Sequence, residues 1–455
     1  MRTILLLILA VLPEIFPDYK EVTIPEGIAP LNFSIQEKGI FYSAKFSCGE
    51  YSFLVWSLNG NINIPKRKWK NLLQGGMEIT VETQVLVGWK WNCHKPFKIY
   101  VSSDSIDGYV AYRLLPPGGS AWGFMGIYQR NLASYEQTAI AENDVTDDNC
   151  MNCHSYPNKR ADKFILPVRG KHSGIYLFEN STVEKLDIKM SYPQMNEDER
   201  YIAFSKNDTR RFIHSNDANR MQALDFSSDV FVYDIGKQSV ISSPLTTSPD
   251  RFETFPCFSP DGRYVYFCSA KAVTELLEKY KEIKYNIMRI DFNPDKGCFG
   301  NKLEIIYDAA SENKSTSMPR ISPDGQFLMF NCQEYGNFPI YHKDANLYMV
   351  NLSDYSVLPL TKFNSLDAES YHSWSSNGRW VAFSSRRDDG MFTKLYIGHI
   401  DAHGNASKPF LLPQKNPKEF YLRFMYSYNA PEFVNGKIRM NPKKFAKSII
   451  GNSKN

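Results

Sequence analysis

Cys150 and Cys153, with His154 directly after them, lie in the stretch DDNCMNCHSY at residues 147–156. Two thiols separated by two residues and followed by an imidazole suit only a few chemistries. A structural zinc site takes about four ligands, and no second close cysteine or histidine pair accompanies this one. A redox dithiol of the thioredoxin kind belongs in a βαβ setting, whereas the flanking sequence is strand-like. A plain disulfide leaves His154 without a role. Thioether attachment of haem uses all three residues, because the thiols add to the two vinyl groups and the histidine ligates the iron. The expectation is therefore one covalent haem c, with Cys150 and Cys153 as attachment points and His154 as proximal ligand. His172, 18 residues downstream, and Met125, upstream, are the candidates for the opposite side of the iron, with His214 and Met195 behind them. No catalytic residues are assigned. The chain lacks a G-x-S-x-G nucleophile elbow, which argues against a propeller hydrolase.

The chemistry requires an exported chain, and the N-terminus reads as one. Arg2 precedes an apolar run from Ile4 to Leu12, the charge order and length of a secretory signal, so residues 1–19 are assigned as a signal peptide and the mature protein as periplasmic. No later segment is apolar enough for a membrane helix. A formal charge of +4 over 455 residues offers no electrostatic reason to propose nucleic acid as a partner. Of eight cysteines, Cys48 and Cys93 are the pair that an oxidising compartment would join. Cys257, Cys268, Cys298 and Cys332 are read as isolated thiols.

The elements that must position the motif are β-strands. Four stretches, starting at Tyr192, Phe255, Met318 and Tyr371, repeat one pattern at intervals between 50 and 63 residues. Each opens on an aromatic or apolar residue, passes a polar turn, and ends in an alternating strand at Phe204, Phe267, Phe330 or Phe383. Two turns are Pro-Asp-Gly and a third is Ser-Asn-Gly, tight-hairpin chemistry. A further strand signal follows each hairpin, giving the four strands of a propeller blade. Residues from Lys163 read as a degenerate fifth blade, and a strand after Pro413 is expected to close the ring, for about six blades. The expected organisation is all-β: a β-sandwich over 20–118, a short haem-binding connector over 119–162, a propeller over 163–436 and a solvated basic tail over 437–455.

The units FSPDGRYVYF, ISPDGQFLMF and WSSNGRWVAFSSRRDDG resemble the TolB-type propeller repeat. With MGIYQRNLASYE, CMNCHSYPN, VRGKHSG and SYNAPEF, nearly the whole chain resembles a family of exported bacterial TolB-like propeller proteins that carry one C-x-x-C-H motif and are linked to cytochrome c biogenesis. The stretch YPQMNEDER departs from that family at Met195 and Asn196, and the family's lipid-anchoring cysteine has no counterpart here. The resemblance implies the haem triad Cys150, Cys153 and His154. It leaves open electron transfer to a redox protein, a scaffold for an envelope protein, and a haem enzyme with an open coordination position.

Overall fold

The computed structural model describes residues 11–116, 123–151, 154–180, 182–214, 217, 219 and 221–451. Two sheets form the N-terminal part. Ile15–Phe16, Phe33–Ile35 and Asn61–Ile62 make the smaller. Thr23–Pro25, Phe97–Ser102, Glu78–Val87, Phe41–Cys48 and Tyr51–Ser57 make the larger in that order, with Lys90–Cys93 added to Glu78–Val87. Glu78–Val87 shows why: Ile79, Val81, Thr83 and Val85 alternate inward and are buried, while the residues between them face outward. Phe33 of the smaller sheet lies 6.3 Å from Phe46 and 6.1 Å from Phe97 of the larger, so the two share one core.

This part differs from expectation at both ends. Ile15 pairs with Ile35, and the fully buried Tyr19 donates its hydroxyl to the Leu411 carbonyl at 3.2 Å. Residues 15–19 thus pack as part of the fold; residues 1–10 lie outside the described residues. At the other end, Tyr109–Leu115 leaves the sandwich and pairs with Gly126–Asn131 and Ser427–Val434. Cys48 and Cys93 are free thiols. In the sheet register Cys93 faces Gln84 whereas Cys48 lies past the Ser47–Thr80 pair, at least four residues along the strand. At about 3.3 Å per residue that is well beyond the Cα separation a disulfide tolerates.

The remainder is propeller-like: six four-stranded antiparallel sheets, with the inner strands of the third to sixth sheets and the closing strand in successive contact. The inner strands of blades two to six are Cys150–Met151, Ser191–Met195, Arg251–Phe258, Ser315–Ile321 and Glu369–Trp374. Blade one takes its inner strand, Ser427–Val434, from the far end of the chain. The expected connector is therefore not a connector. Gly126–Asn131 and Gln137–Glu142 are the outer strands of blade one, and Cys150–Met151 opens blade two. The C-terminal stretch is likewise more than solvated charge: in the helix Pro442–Gly451, Phe445 and Ile449 are buried, with Phe445 stacked 5.6 Å from Phe178 of blade two.

The repeat has a backbone meaning. Its first residues, Tyr192, Phe255, Met318 and Tyr371, all adopt positive φ, as does Ala430 of the closing strand. Each sits where its inner strand carries one residue more than its partner, a β-bulge. The bulges turn these side chains toward one another, and Tyr192, Phe255, Met318 and Tyr371 join one apolar cluster, with Tyr192 and Phe255 4.2 Å apart. In the Tyr192 unit Glu199 replaces the turn glycine yet holds φ at 58°. Arg160 and Lys163 pair with its carboxylate at 2.8 and 3.0 Å, offsetting the unfavourable backbone.

One inner-strand residue makes stability depend on pH. Glu253 is fully buried, and Ser269 and the Ser248 backbone only partly offset its loss of water. Burial, reinforced by Asp229, pushes its pKa up to about 8. The folded state thus keeps a proton that the unfolded state releases near pH 4.5, and stability falls as pH rises from there to about 8, by about 1.4 kcal/mol per pH unit. Glu253→Gln should remove that alkaline loss. Melting temperatures across pH 5–9 that keep the same slope in the variant would contradict it.

Candidate functional site

Pairs on either side of the C-x-x-C-H motif show a register shift in blade two. Met151 pairs with Val168 and Ser155 bridges Ile165, so one more residue separates the two pairs on the motif strand than on its partner. The other five blades show the same excess, placing the motif in the ring of inner strands.

The strand is fixed from both sides. Upstream, the Asn143 side chain accepts from the Met125 amide at 2.9 Å and donates to the Gly123 carbonyl at 3.0 Å. Asp147 and Asp148 take positive φ, which short polar side chains tolerate, and swing the chain into Asn149 and Cys150. Asn149 donates to the Thr146 carbonyl and accepts from the His172 amide at 3.0 Å, clamping the loop between the next two strands. Gly170 of that loop has φ +118°, and a Cβ there would lie 2.5 Å from Asn149 Oδ1. Gly170→Ala should therefore displace Asn149 and cost at least about 1 kcal/mol in urea unfolding; unchanged stability would show that the clamp is slack.

Cys150 is partly buried and pairs with Arg169. Cys153 lies outside the described residues. His154 is 3% exposed, and neither ring nitrogen has a side-chain hydrogen-bond partner among the described residues. Burial, and then the positive charge of Arg113, press its pKa down to about 3, with the Ala430 backbone the one group favouring the charged form. It is held as neutral imidazole, the form that binds metals. His372 makes the contrast. It directly follows the bulge residue Tyr371 and is also pressed down to about 3, but its Nε2 has a partner in the Met329 carbonyl at 3.2 Å.

Around His154 stand Tyr156, with ring centroids 5.3 Å apart, and Arg113, whose Nη1 donates to the Met151 carbonyl at 3.1 Å. Tyr156 is fully enclosed, and burial raises its hydroxyl far above the ordinary value. Phe164 and Phe178 continue the apolar wall behind it.

Both leading distal candidates come to the motif strand. The Met125 thioether accepts from the Met151 amide at 3.4 Å, inside the motif itself. His172 lies beside the strand's entrance, its Nε2 2.8 Å from Asp147 Oδ2, a contact that together with Lys171 holds the Asp147 carboxyl below its usual range. The two further candidates are elsewhere. His214 stacks 5.0 Å from Tyr280 of blade four, and Met195 packs in the core between blades two and three. Arg113, Tyr156 and Ala430 were not anticipated, since they come from a sandwich-like stretch, from beyond the motif and from the chain's far end. Only Tyr156, two residues past His154, had a local signal. Among the described residues no three His, Cys, Asp or Glu side chains gather as metal ligands.

No family model matches the chain, and no curated protein does. Solved structures align with it at low similarity. An oligogalacturonate lyase in complex with manganese is 10% identical, covering 67% of this chain and 74% of its own, with a TM-score of 0.37. Hydrazine synthase of Kuenenia stuttgartiensis is 11% identical over 57% of this chain and 65% of its own, TM-score 0.33. Prolyl oligopeptidase B from Galerina marginata is 12% identical over 66% of this chain but only 44% of its own, TM-score 0.38. The propeller-like description rests on the sheets themselves.

Proposed function

We propose that the protein is an exported, TolB-like c-type monohaem protein of the periplasm that passes single electrons to or from a redox partner, with the propeller as docking module. The observation that carries the reading is His154: a buried, neutral imidazole directly after a C-x-x-C pair. Cys150 and Cys153 would hold the haem through thioethers, and His154 would ligate its iron, with Met125 or His172 as the distal ligand. Bound haem supplies a one-electron iron couple. The protein's part is to present an unprotonated nitrogen, to keep water from it with Tyr156 and Phe164, and to set the charge of Arg113 beside it. No helix among the described residues is long and apolar enough to cross a membrane.

A second reading, a scaffold for an envelope protein in which haem is structural or sensory, is favoured by one feature. The motif lies within the ring of inner strands, where an attached group would tie blade two to its neighbours. Stopped-flow reduction by small and by protein-sized donors separates the two. Fast exchange with a protein donor supports electron transfer, and a haem that resists protein donors while its loss lowers the melting temperature supports the scaffold.

A further inference from the structure

The sandwich carries an unpartnered aromatic surface far from the motif. On the outer face of the larger sheet, Phe41, Trp56 and Trp91 form a triad, with ring centroids 5.2 Å (Phe41–Trp56), 6.1 Å (Phe41–Trp91) and 6.3 Å (Trp56–Trp91) apart. Two turns at the same end extend it. Trp89, at the turn between Glu78–Val87 and Lys90–Cys93, is 98% exposed, and Leu58, after Tyr51–Ser57, is 74% exposed.

Lysines outnumber carboxylates at this end. Lys38, Lys90 and Lys95 are exposed, as is Glu14, while the carboxylate of Glu37 is held by Asn92 and His94, each at 2.8 Å. Exposed apolar chain lies at the same place: the Lys95 amide donates to the Val11 carbonyl at 2.9 Å, and Val11 and Leu12 are exposed.

We infer that this end of the sandwich is a membrane-docking edge, which seats Trp89, Trp91, Trp56 and Leu58 in the headgroup region of an anionic bilayer. Tryptophans at protruding turns, with lysines and the exposed Val11 and Leu12 at the same end, match the chemistry of the bilayer interface. A sugar-stacking platform fits less well, because the three rings are inclined to one another by 43–83° and present no common plane. The inference is independent of the haem assignment.

The test uses the full chain and vesicles of phosphatidylethanolamine with phosphatidylglycerol. The protein should sediment with them, more weakly with phosphatidylcholine alone and more weakly in high salt. Trp89→Ala should loosen binding by about tenfold, from the apolar area of one indole, with an unchanged melting temperature because the side chain is solvent-exposed. Brominated lipids should quench the intrinsic fluorescence, and Trp89→Phe should remove much of the quenched fraction. Equal binding by Trp89→Ala and by Trp56→Ala/Trp89→Ala/Trp91→Ala would overturn the inference, assigning any adhesion to the N-terminal run alone. So would a vesicle-free dimer that Trp89→Ala dissolves, which would make a second copy the occupant.

Discussion

Replacing His154 with alanine, in protein made where c-type haem is attached, should abolish the low-spin absorption bands while leaving haem covalently bound. The thiols of Cys150 and Cys153 survive the change, so a haem stain after denaturing electrophoresis should persist. Cys150→Ala/Cys153→Ala should lose the stain altogether. Because the His154 site is closed and ringed by Tyr156, Phe164 and Arg113, the variant leaves a hole of imidazole size. Added imidazole should therefore restore the bands. Low-spin bands unchanged in His154→Ala would refute the proximal assignment.

The histidine carries a stability cost of defined sign. His154 and His372 bind a proton near pH 6.5 when unfolded and only near 3 when folded. Each therefore removes stability as pH falls below about 6.5, approaching 1.4 kcal/mol per pH unit. Set against Glu253, whose effect runs the other way up to about 8, the haem-free chain should be most stable around neutrality.

Phe433→Ala should be among the most damaging single changes in the propeller. Phe433 is fully buried in the strand Ser427–Val434, opposite Val110, where the chain's last strand completes its first blade. Truncating a buried phenylalanine costs about 3–5 kcal/mol, a large share of the roughly 5–15 kcal/mol by which domains are stable. The seam is non-covalent strand pairing, so the loss should appear as a lower urea midpoint and as early exposure of blade one to proteolysis. Leu422→Ala, on an exposed side chain of the preceding helix, is the control and should change stability by no more than about 0.5 kcal/mol. A Phe433→Ala midpoint matching that control would mean the ring does not depend on this seam.

Much of the ring was legible because its repeats are local. The turn chemistry of Pro260-Asp261-Gly262 and the alternation that follows announce a hairpin within a dozen residues. The residue opening each repeat proved to be the bulge itself, so the sequence pattern marked a backbone feature that no propensity scale describes. What was not legible depended on distant partners. Tyr109–Leu115 reads as a sandwich strand by composition, and only Ser427–Val434, some 300 residues on, makes it the second strand of a blade. Gly126–Asn131 and Gln137–Glu142 were hidden in the same way. The packing of Ile15 and Tyr19 was not legible either, since their partners Ile35 and Leu411 lie far along the chain. At the site, the triad could be read from spacing, whereas the isolation of His154 could not, since it arises from Arg113, Tyr156 and Ala430 converging from three parts of the chain.

The most direct test of the account is the visible spectrum of the purified wild-type protein, made in cells that attach c-type haem and then denatured in alkaline pyridine. One covalently bound haem per chain, retained through denaturation and absent from Cys150→Ala/Cys153→Ala, is the predicted result. Protein that emerges without haem from cells in which a control cytochrome is fully matured would contradict it.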